Sequence, residues 1–188
     1  SHYQRGLEIA EKLLTAHPDS AAAARDDSVI LNKLGDFLSR RGQPGDAEKA
    51  LTHYQRDLEI SEKLLTTHPD SAQAARDASI SLGRLGDFLT HRSQPGDAEK
   101  ALAHYQRSLQ LAEKLHASNQ ESAQAARDLA VSHYKLAAFA EGQGDLVGKT
   151  KHHRACYDIL ALRIANGVTF DPPVMKLFEE LKQEFGGK

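Results

Sequence analysis

Apolar side chains recur at every third or fourth residue along most of the chain, with charged residues between them. One such stripe consists of Ala75, Ala78, Leu82, Leu85 and Leu89. This spacing is the period of an α-helix with one buried face. It predicts eight helices, at 1–16, 20–40, 46–66, 70–92, 97–117, 121–141, 146–166 and 172–185.

The same sequence unit occurs three times, at intervals of 51 residues. His2-Tyr3-Gln4-Arg5 returns as His53-Tyr54-Gln55-Arg56 and as His104-Tyr105-Gln106-Arg107. Residues 2–52 and 53–103 agree at 38 of 51 positions. A fixed period of this length is typical of a solenoid, in which each unit buries its apolar face only against its neighbours.

Turn signals separate the helices at both ends of each unit. Pro18 and Pro69 are each followed by an Asp-Ser pair, which ends one helix and caps the next. Gly45-Asp46 and Gly96-Asp97 mark the other corner. Because every turn is short, consecutive helices are expected to pack antiparallel in pairs.

The charge balance argues against several partner classes. The chain has 26 acidic and 24 basic residues, so no bulk positive field attracts nucleic acid or an anionic membrane. No apolar run reaches the roughly 18 residues that span a bilayer. Charged residues also interrupt residues 1–15, where a signal peptide needs an unbroken apolar core. We therefore predict a cytoplasmic protein that binds neither nucleic acid nor membrane.

Within each unit the residues resemble the tetratricopeptide repeat family. Its Leu-Gly pair in the first helix matches Leu34-Gly35 and Leu85-Gly86, and its second-helix alanine and aromatic match Ala50 with Tyr54 and Ala101 with Tyr105. Pro18 and Pro69 match its closing proline. The unit here is 17 residues longer than the family's, which lengthens the helices. The kinesin-light-chain type of helical repeat shares this architecture and remains a rival interpretation.

This resemblance implies an all-α, right-handed α-α superhelix of antiparallel helix pairs with a C-terminal capping helix. We expect the repeat array to occupy residues 1–170, with units that begin near residues 2, 53 and 104. The cap and tail are expected at 171–188, where Asp171-Pro172 starts an amphipathic helix. The third copy departs from the pattern, since Ala137 replaces the glycine and the loop at 141–145 is three residues shorter.

The beginning of the chain matches the middle of a second helix and lacks the Gly-Asp-Ala-Glu-Lys-Ala-Leu segment. We interpret the chain as the C-terminal fragment of a larger protein whose first unit is truncated. The truncation would leave apolar side chains uncovered, and these are Leu7, Leu13, Leu14, Val29 and Ile30. Self-association through this open end is therefore expected.

Candidate chemistry is sparse. His152, His153 and Cys156 would place two metal ligands one turn apart on a helix, but packing and surface roles are favoured because no fourth ligand lies near in sequence. The recurring histidines follow from the recurring unit, so pH sensing is not favoured. No nucleophile motif, phosphate loop or carboxylate pair is apparent. We predict no catalytic residue, no metal and no cofactor.

The first helix of each unit carries a polar stripe beside its apolar one. By resemblance to the family, whose first helices line the concave groove, this stripe faces a ligand. The predicted groove residues are Arg25, Asn32, Lys33, Asp36, Arg76, Arg84, Asp87, Arg127, Tyr134 and Lys135. A row of Arg and Lys side chains with interspersed Asp suits an extended peptide with acidic groups. The alternative is that neighbouring Arg and Asp side chains neutralise one another on a solvated surface.

Two functions fit these observations. The first is a non-enzymatic scaffold that binds a protein or an extended peptide in the groove. The second is a ligand-sensing regulatory segment of a larger signalling protein, in which binding alters the curvature of the superhelix and so controls an attached effector domain. The sequence that precedes this fragment would distinguish the two.

Overall fold

The computed structural model describes residues 20–186, together with Arg5, Ile9 and Lys12, which are helical and exposed. Apart from those three positions, the helix predicted at 1–16 lies outside the described residues, as do Leu7, Leu13 and Leu14. The described residues form seven helices and no strand. They are α1 (Ala21–Arg41), α2 (Asp46–Thr67), α3 (Ala72–Arg92), α4 (Asp97–Ser118), α5 (Ala123–Gly142), α6 (Leu146–Ala165) and α7 (Pro172–Phe185).

The chain divides into two compact units, with a boundary after His104 inside α4. In unit 1, residues 1–104, α1 packs on α2 and α2 packs on α3. In unit 2, residues 105–188, α5 packs on α6 and α6 packs on α7. The predicted all-α fold of consecutively packed helices is confirmed. The division of the chain into an array at 1–170 and a cap at 171–188 stays a prediction.

Serine caps begin the first helix of all three repeats. The Ser20 hydroxyl accepts a hydrogen bond from the Ala23 amide at 3.2 Å, and Ser71 and Ser122 accept from Ala74 and Ala125. Each cap satisfies one of the amides that have no partner within the helix, and such a cap contributes about 1 kcal/mol. The Asp-Ser turn signal therefore places the starts of α1 and α3 within two residues of the observed positions.

An ion-pair clamp closes the corner between the paired helices in unit 1. The Arg41 guanidinium donates two hydrogen bonds to the Asp46 carboxylate, at 2.7 and 2.5 Å, across the turn from α1 to α2. Arg92 and Asp97 repeat the arrangement from α3 to α4 at 2.8 and 2.6 Å. The bidentate arginine lowers the pKa of Asp46 to about 2 and also lowers that of Asp97. Both corners are therefore held by charge-assisted bonds with fixed geometry.

A close approach between α1 and α2 explains the glycine inside α1. A Cβ atom built on Gly35 would lie 2.8 Å from Cζ of Tyr54, which is closer than two carbon atoms can pack. The Tyr54 ring is itself held in place, because its hydroxyl donates to Asp36 at 2.7 Å and its face packs against Phe88 at 5.2 Å between ring centroids. The Leu-Gly pair therefore marks the position where the two helices touch.

The apolar stripe of α7 completes the core of unit 2. Val174, Phe178, Leu181 and Phe185 are buried against α6, in a cluster that includes Leu160. The opposite side of α7 carries Glu179, Glu180, Lys182 and Glu184, all exposed. One face of α7 therefore covers α6 and the other is polar, which is the arrangement expected of a capping helix.

We expect Gly35→Ala to destabilise the protein by up to about 2 kcal/mol. Overpacking costs about 1–3 kcal/mol and outweighs the roughly 1 kcal/mol that alanine gains over glycine in a helix, because the anchored Tyr54 ring cannot move aside. Urea denaturation followed by circular dichroism measures the change.

The matched control is Gly142→Ala at the last residue of α5, where an added Cβ meets nothing within 4 Å. This variant should be unchanged or stabilised by up to about 1 kcal/mol. Equal effects from the two substitutions would contradict the close approach at Tyr54.

Candidate binding face

The predicted groove residues lie on the first helix of each repeat, which is α1, α3 or α5. In unit 1, two ion pairs join α1 to α3 side by side. Nε of Arg25 donates to Asp77 at 2.8 Å, and Nη1 of Arg84 donates to Asp36 at 3.0 Å. We call this surface the α1–α3 face and define it by Arg25, Val29, Asp36, Asp77, Ile80 and Arg84.

The Asp36 carboxylate connects this face to the core. One oxygen accepts from Arg84, and the other accepts from the buried Tyr54 hydroxyl on α2. Burial raises the pKa of Tyr54, and the hydrogen bond to Asp36 raises it further, so the phenol remains a donor at physiological pH. Asp36 therefore positions Arg84 through a link that ends in the packed interior.

Branched aliphatic side chains stand between the two ion pairs. Val29 on α1 is 56% exposed, and Ile80 on α3, its counterpart one repeat later, is 37% exposed. Both occupy the stripe where a solvated helix normally carries polar residues. Recurrence of an exposed aliphatic at the same repeat position gives the α1–α3 face an apolar centre with charged margins.

Asn32 departs from the predicted arrangement. Its side chain is buried and its amide donates to the Ser28 carbonyl at 3.2 Å. Nearby, the Ser28 hydroxyl donates to the fully buried Asp57 carboxylate of α2. Burial raises the pKa of Asp57, while the hydrogen bonds from Ser28, Ser81 and Asn32 oppose that shift. Asn32 thus belongs to a buried polar cluster, and a ligand on the α1–α3 face would not reach it.

The other predicted residues differ in exposure and setting. Lys33 is exposed on α1, whereas Arg76, Asp87 and Lys135 are partly buried. In unit 2, Nε of Arg127 donates at 2.6 Å to Asp171, the residue that also caps α7. Tyr134 is 40% exposed and stacks on His153 of α6 with 6.0 Å between ring centroids. In the third repeat the predicted stripe is therefore tied to α6 and α7.

A pocket of about 240 Å³ lies in unit 1, at the end where α1 and α3 finish and α2 begins. Leu38, Ala47 and Phe88 form apolar walls, and His91 and Arg92 supply polar groups. The Arg92 guanidinium lies over the Phe88 ring at 5.7 Å from its centroid, which holds one side of the pocket in place. Sequence periodicity does not reveal this pocket, because turn and helix-end residues from three elements form it.

Two histidines that the sequence does not link are brought together in unit 2. Nδ1 of His133 on α5 lies 3.0 Å from Nδ1 of His152 on α6. His133 occupies the repeat position of Leu31 and Leu82, which are core leucines. Cys156 is fully buried in the core beside α7, and burial raises the pKa of its thiol to about 12. Of the three residues that the sequence grouped, only His152 takes part in this pair.

In the part of the chain that the structure describes, no group of three or more His, Cys, Asp or Glu side chains is arranged to hold a metal ion. Over the same residues, no helix is long and apolar enough to cross a membrane.

No protein-family model matches the chain, and no curated protein matches it either. Among solved structures, the chain is similar to a de novo designed helical repeat protein, DHR64, at 18% identity and a TM-score of 0.35, with 97% of this chain and 91% of the other covered. A second similarity is to the DHF79 filament, at 17% identity and a TM-score of 0.33, with 97% and 95% covered. These scores are too low to support an argument. The repeat architecture is therefore inferred from the helices of this chain alone.

Acid should weaken unit 2 through His133. Burial, followed by the charges of His152 and Lys151, lowers the pKa of His133 to about 4 from an ordinary 6.5. Between these two pKa values the unfolded chain binds more protons than the folded chain. The contribution of His133 to the free energy of unfolding therefore falls as the pH drops from 6.5 to 4, and it is constant above pH 6.5.

Comparison with His133→Leu isolates this contribution. The neighbouring His152, together with the Asp145 and Glu113 carboxylates that face it, is present in both proteins. We expect the urea midpoint of the wild-type protein to fall more steeply between pH 6.5 and 4 than that of the variant. Parallel curves would mean that His133 is not the group that titrates.

Proposed function

We propose that this chain is a non-enzymatic, tetratricopeptide-like scaffold that binds an extended peptide on the α1–α3 face. The observation that carries the proposal is the pair of exposed aliphatics, Val29 and Ile80, at equivalent positions of successive repeats. An isolated exposed aliphatic is ordinary, but a recurring one flanked by ordered charges is typical of a recognition surface.

The charged margins of the face suit a peptide that alternates apolar and acidic side chains. A guanidinium has five N–H donors, and the Arg25–Asp77 hydrogen bond uses only the Nε–H. Arg25 and Arg84 side chains are 39% and 36% exposed, so their remaining edges face solvent. The carboxylates of Asp77 and Asp36 hold these arginines in place, which reduces the entropy lost when a second carboxylate binds.

The pocket beside Phe88 supplies an anchoring site for one side chain of the peptide. Its apolar walls favour an aliphatic or aromatic group, and Arg92 at its edge favours a nearby carboxylate. Arg92 is already engaged with Asp97, so it is held in a fixed position. The proposal therefore has an apolar centre, a charged margin and one anchoring pocket, all within unit 1.

A displayed library of random peptides, selected on the wild-type chain, tests the proposal. We expect the enriched peptides to combine apolar and acidic residues. Val29→Ser with Ile80→Ser should weaken their binding at least tenfold, because each aliphatic contributes about 1 kcal/mol when covered. Arg25→Ala with Arg84→Ala should also weaken binding. Melting temperatures should change little, since the substituted side chains are partly or largely exposed.

The matched control is Leu162→Ser, which removes an aliphatic side chain that is 62% exposed on α6 of unit 2. This variant should bind the selected peptides as the wild-type protein does. Peptides that bind the Val29/Ile80 double variant with undiminished affinity would place the recognition surface elsewhere. Failure to enrich any peptide would count against the scaffold function itself.

A further inference from the structure

We propose that His133 and His152 form a two-histidine site for a divalent transition metal, of the Cu²⁺ or Ni²⁺ class, that links α5 to α6. The site is independent of the α1–α3 face. It joins two residues on different helices that are 19 positions apart in the sequence.

The separation of the two nitrogens carries the proposal. With metal–nitrogen bonds of about 2.0–2.1 Å, two nitrogens at a right angle around one metal lie about 2.9 Å apart, and two at a tetrahedral angle lie about 3.3 Å apart. The observed Nδ1 to Nδ1 distance is 3.0 Å, close to the right-angle value. Square-planar and tetragonal geometries, which have right angles, are those that Cu²⁺ and Ni²⁺ prefer with nitrogen and oxygen ligands.

The rings need little rearrangement to bind a metal. In the structure one Nδ1 donates a hydrogen bond to the other, and the rings are inclined at 36° with 5.3 Å between centroids. The histidine χ2 torsion is broad and soft, so a modest rotation turns both lone pairs towards one point. Placing two imidazoles side by side in advance raises the affinity over that of separate histidines, because the second ligand binds as an intramolecular step. Water would complete the coordination.

Charged side chains act on the two rings. Asp145 and Glu113 carry negative charge near His152, whereas Lys151 carries positive charge that acts on both histidines.

The histidine at position 133 also indicates a role other than packing. Leu31 and Leu82, its counterparts, are almost completely buried in unit 1. Exchange of such a leucine for histidine removes apolar contact and introduces ring nitrogens that need partners. The partner supplied here is a second metal-binding side chain, and its nitrogen lies at chelating distance.

Titration of the chain with Cu²⁺ near pH 7.5 tests the site. At a concentration 100-fold above the dissociation constant, copper should raise the melting temperature by about 5 °C or more. Electron paramagnetic resonance should show coupling to two imidazole nitrogens.

The variants separate this site from adventitious binding. His133→Leu, which restores the side chain of the other repeats, should fold and should lose the copper-dependent shift, and His152→Asn should lose it as well. His153→Gln changes the adjacent histidine, which stacks on Tyr134, and should keep the shift. The absence of a shift in the wild-type protein, or an equal shift in His133→Leu, would overturn the proposal.

Discussion

The helices that the structure describes bury apolar side chains against their neighbours in the sequence. This constraint organises both units, where α1, α2 and α3 pack in sequence order and so do α5, α6 and α7. Between α1 and α2 the packing needs a position without a side chain. Gly35 provides that position against Tyr54, and the distance of 2.8 Å that an added Cβ would have from the ring shows how little space remains.

Tyr54 links the contact between α1 and α2 to the α1–α3 face through hydrogen bonds. Its ring fills the space beside Gly35 and contacts Phe88 of α3, while its hydroxyl holds Asp36, which in turn holds Arg84. One buried side chain therefore orients a charged pair on the α1–α3 face. Ligand-binding residues positioned through the core are less mobile than isolated surface charges, and this reduces the entropy that binding costs. The geometry of the proposed peptide surface depends on the same contact that joins the helices.

The third repeat shows what changes when the unit is no longer copied closely. Ala137 replaces the glycine, and the arginine clamp of the first two corners gives way to the Lys149–Glu141 pair. Arg127 meets Asp171 at the start of the capping helix, whereas Arg25 in the first repeat meets Asp77. His133 replaces a core leucine and meets His152. In the last repeat a histidine pair therefore takes the place of a buried leucine, and a lysine–glutamate pair takes the place of the arginine clamp.

Local signals in the sequence predict most of the fold. The three-to-four spacing of apolar residues, the serine caps and the glycine corners place the seven described helices within two residues at either end, because each signal acts within one or two turns of the chain. The amphipathic cap α7 is predicted for the same reason. Tertiary structure alone decides which side chains meet between helices. Helical period places Asn32 beside the core stripe, yet only the position of α2 determines that it is buried with Asp57. The Arg25–Asp77 and His133–His152 pairs likewise depend on how neighbouring helices are offset and tilted. A contact between two helices produces no periodic pattern in the sequence of either helix, so the sequence does not reveal it.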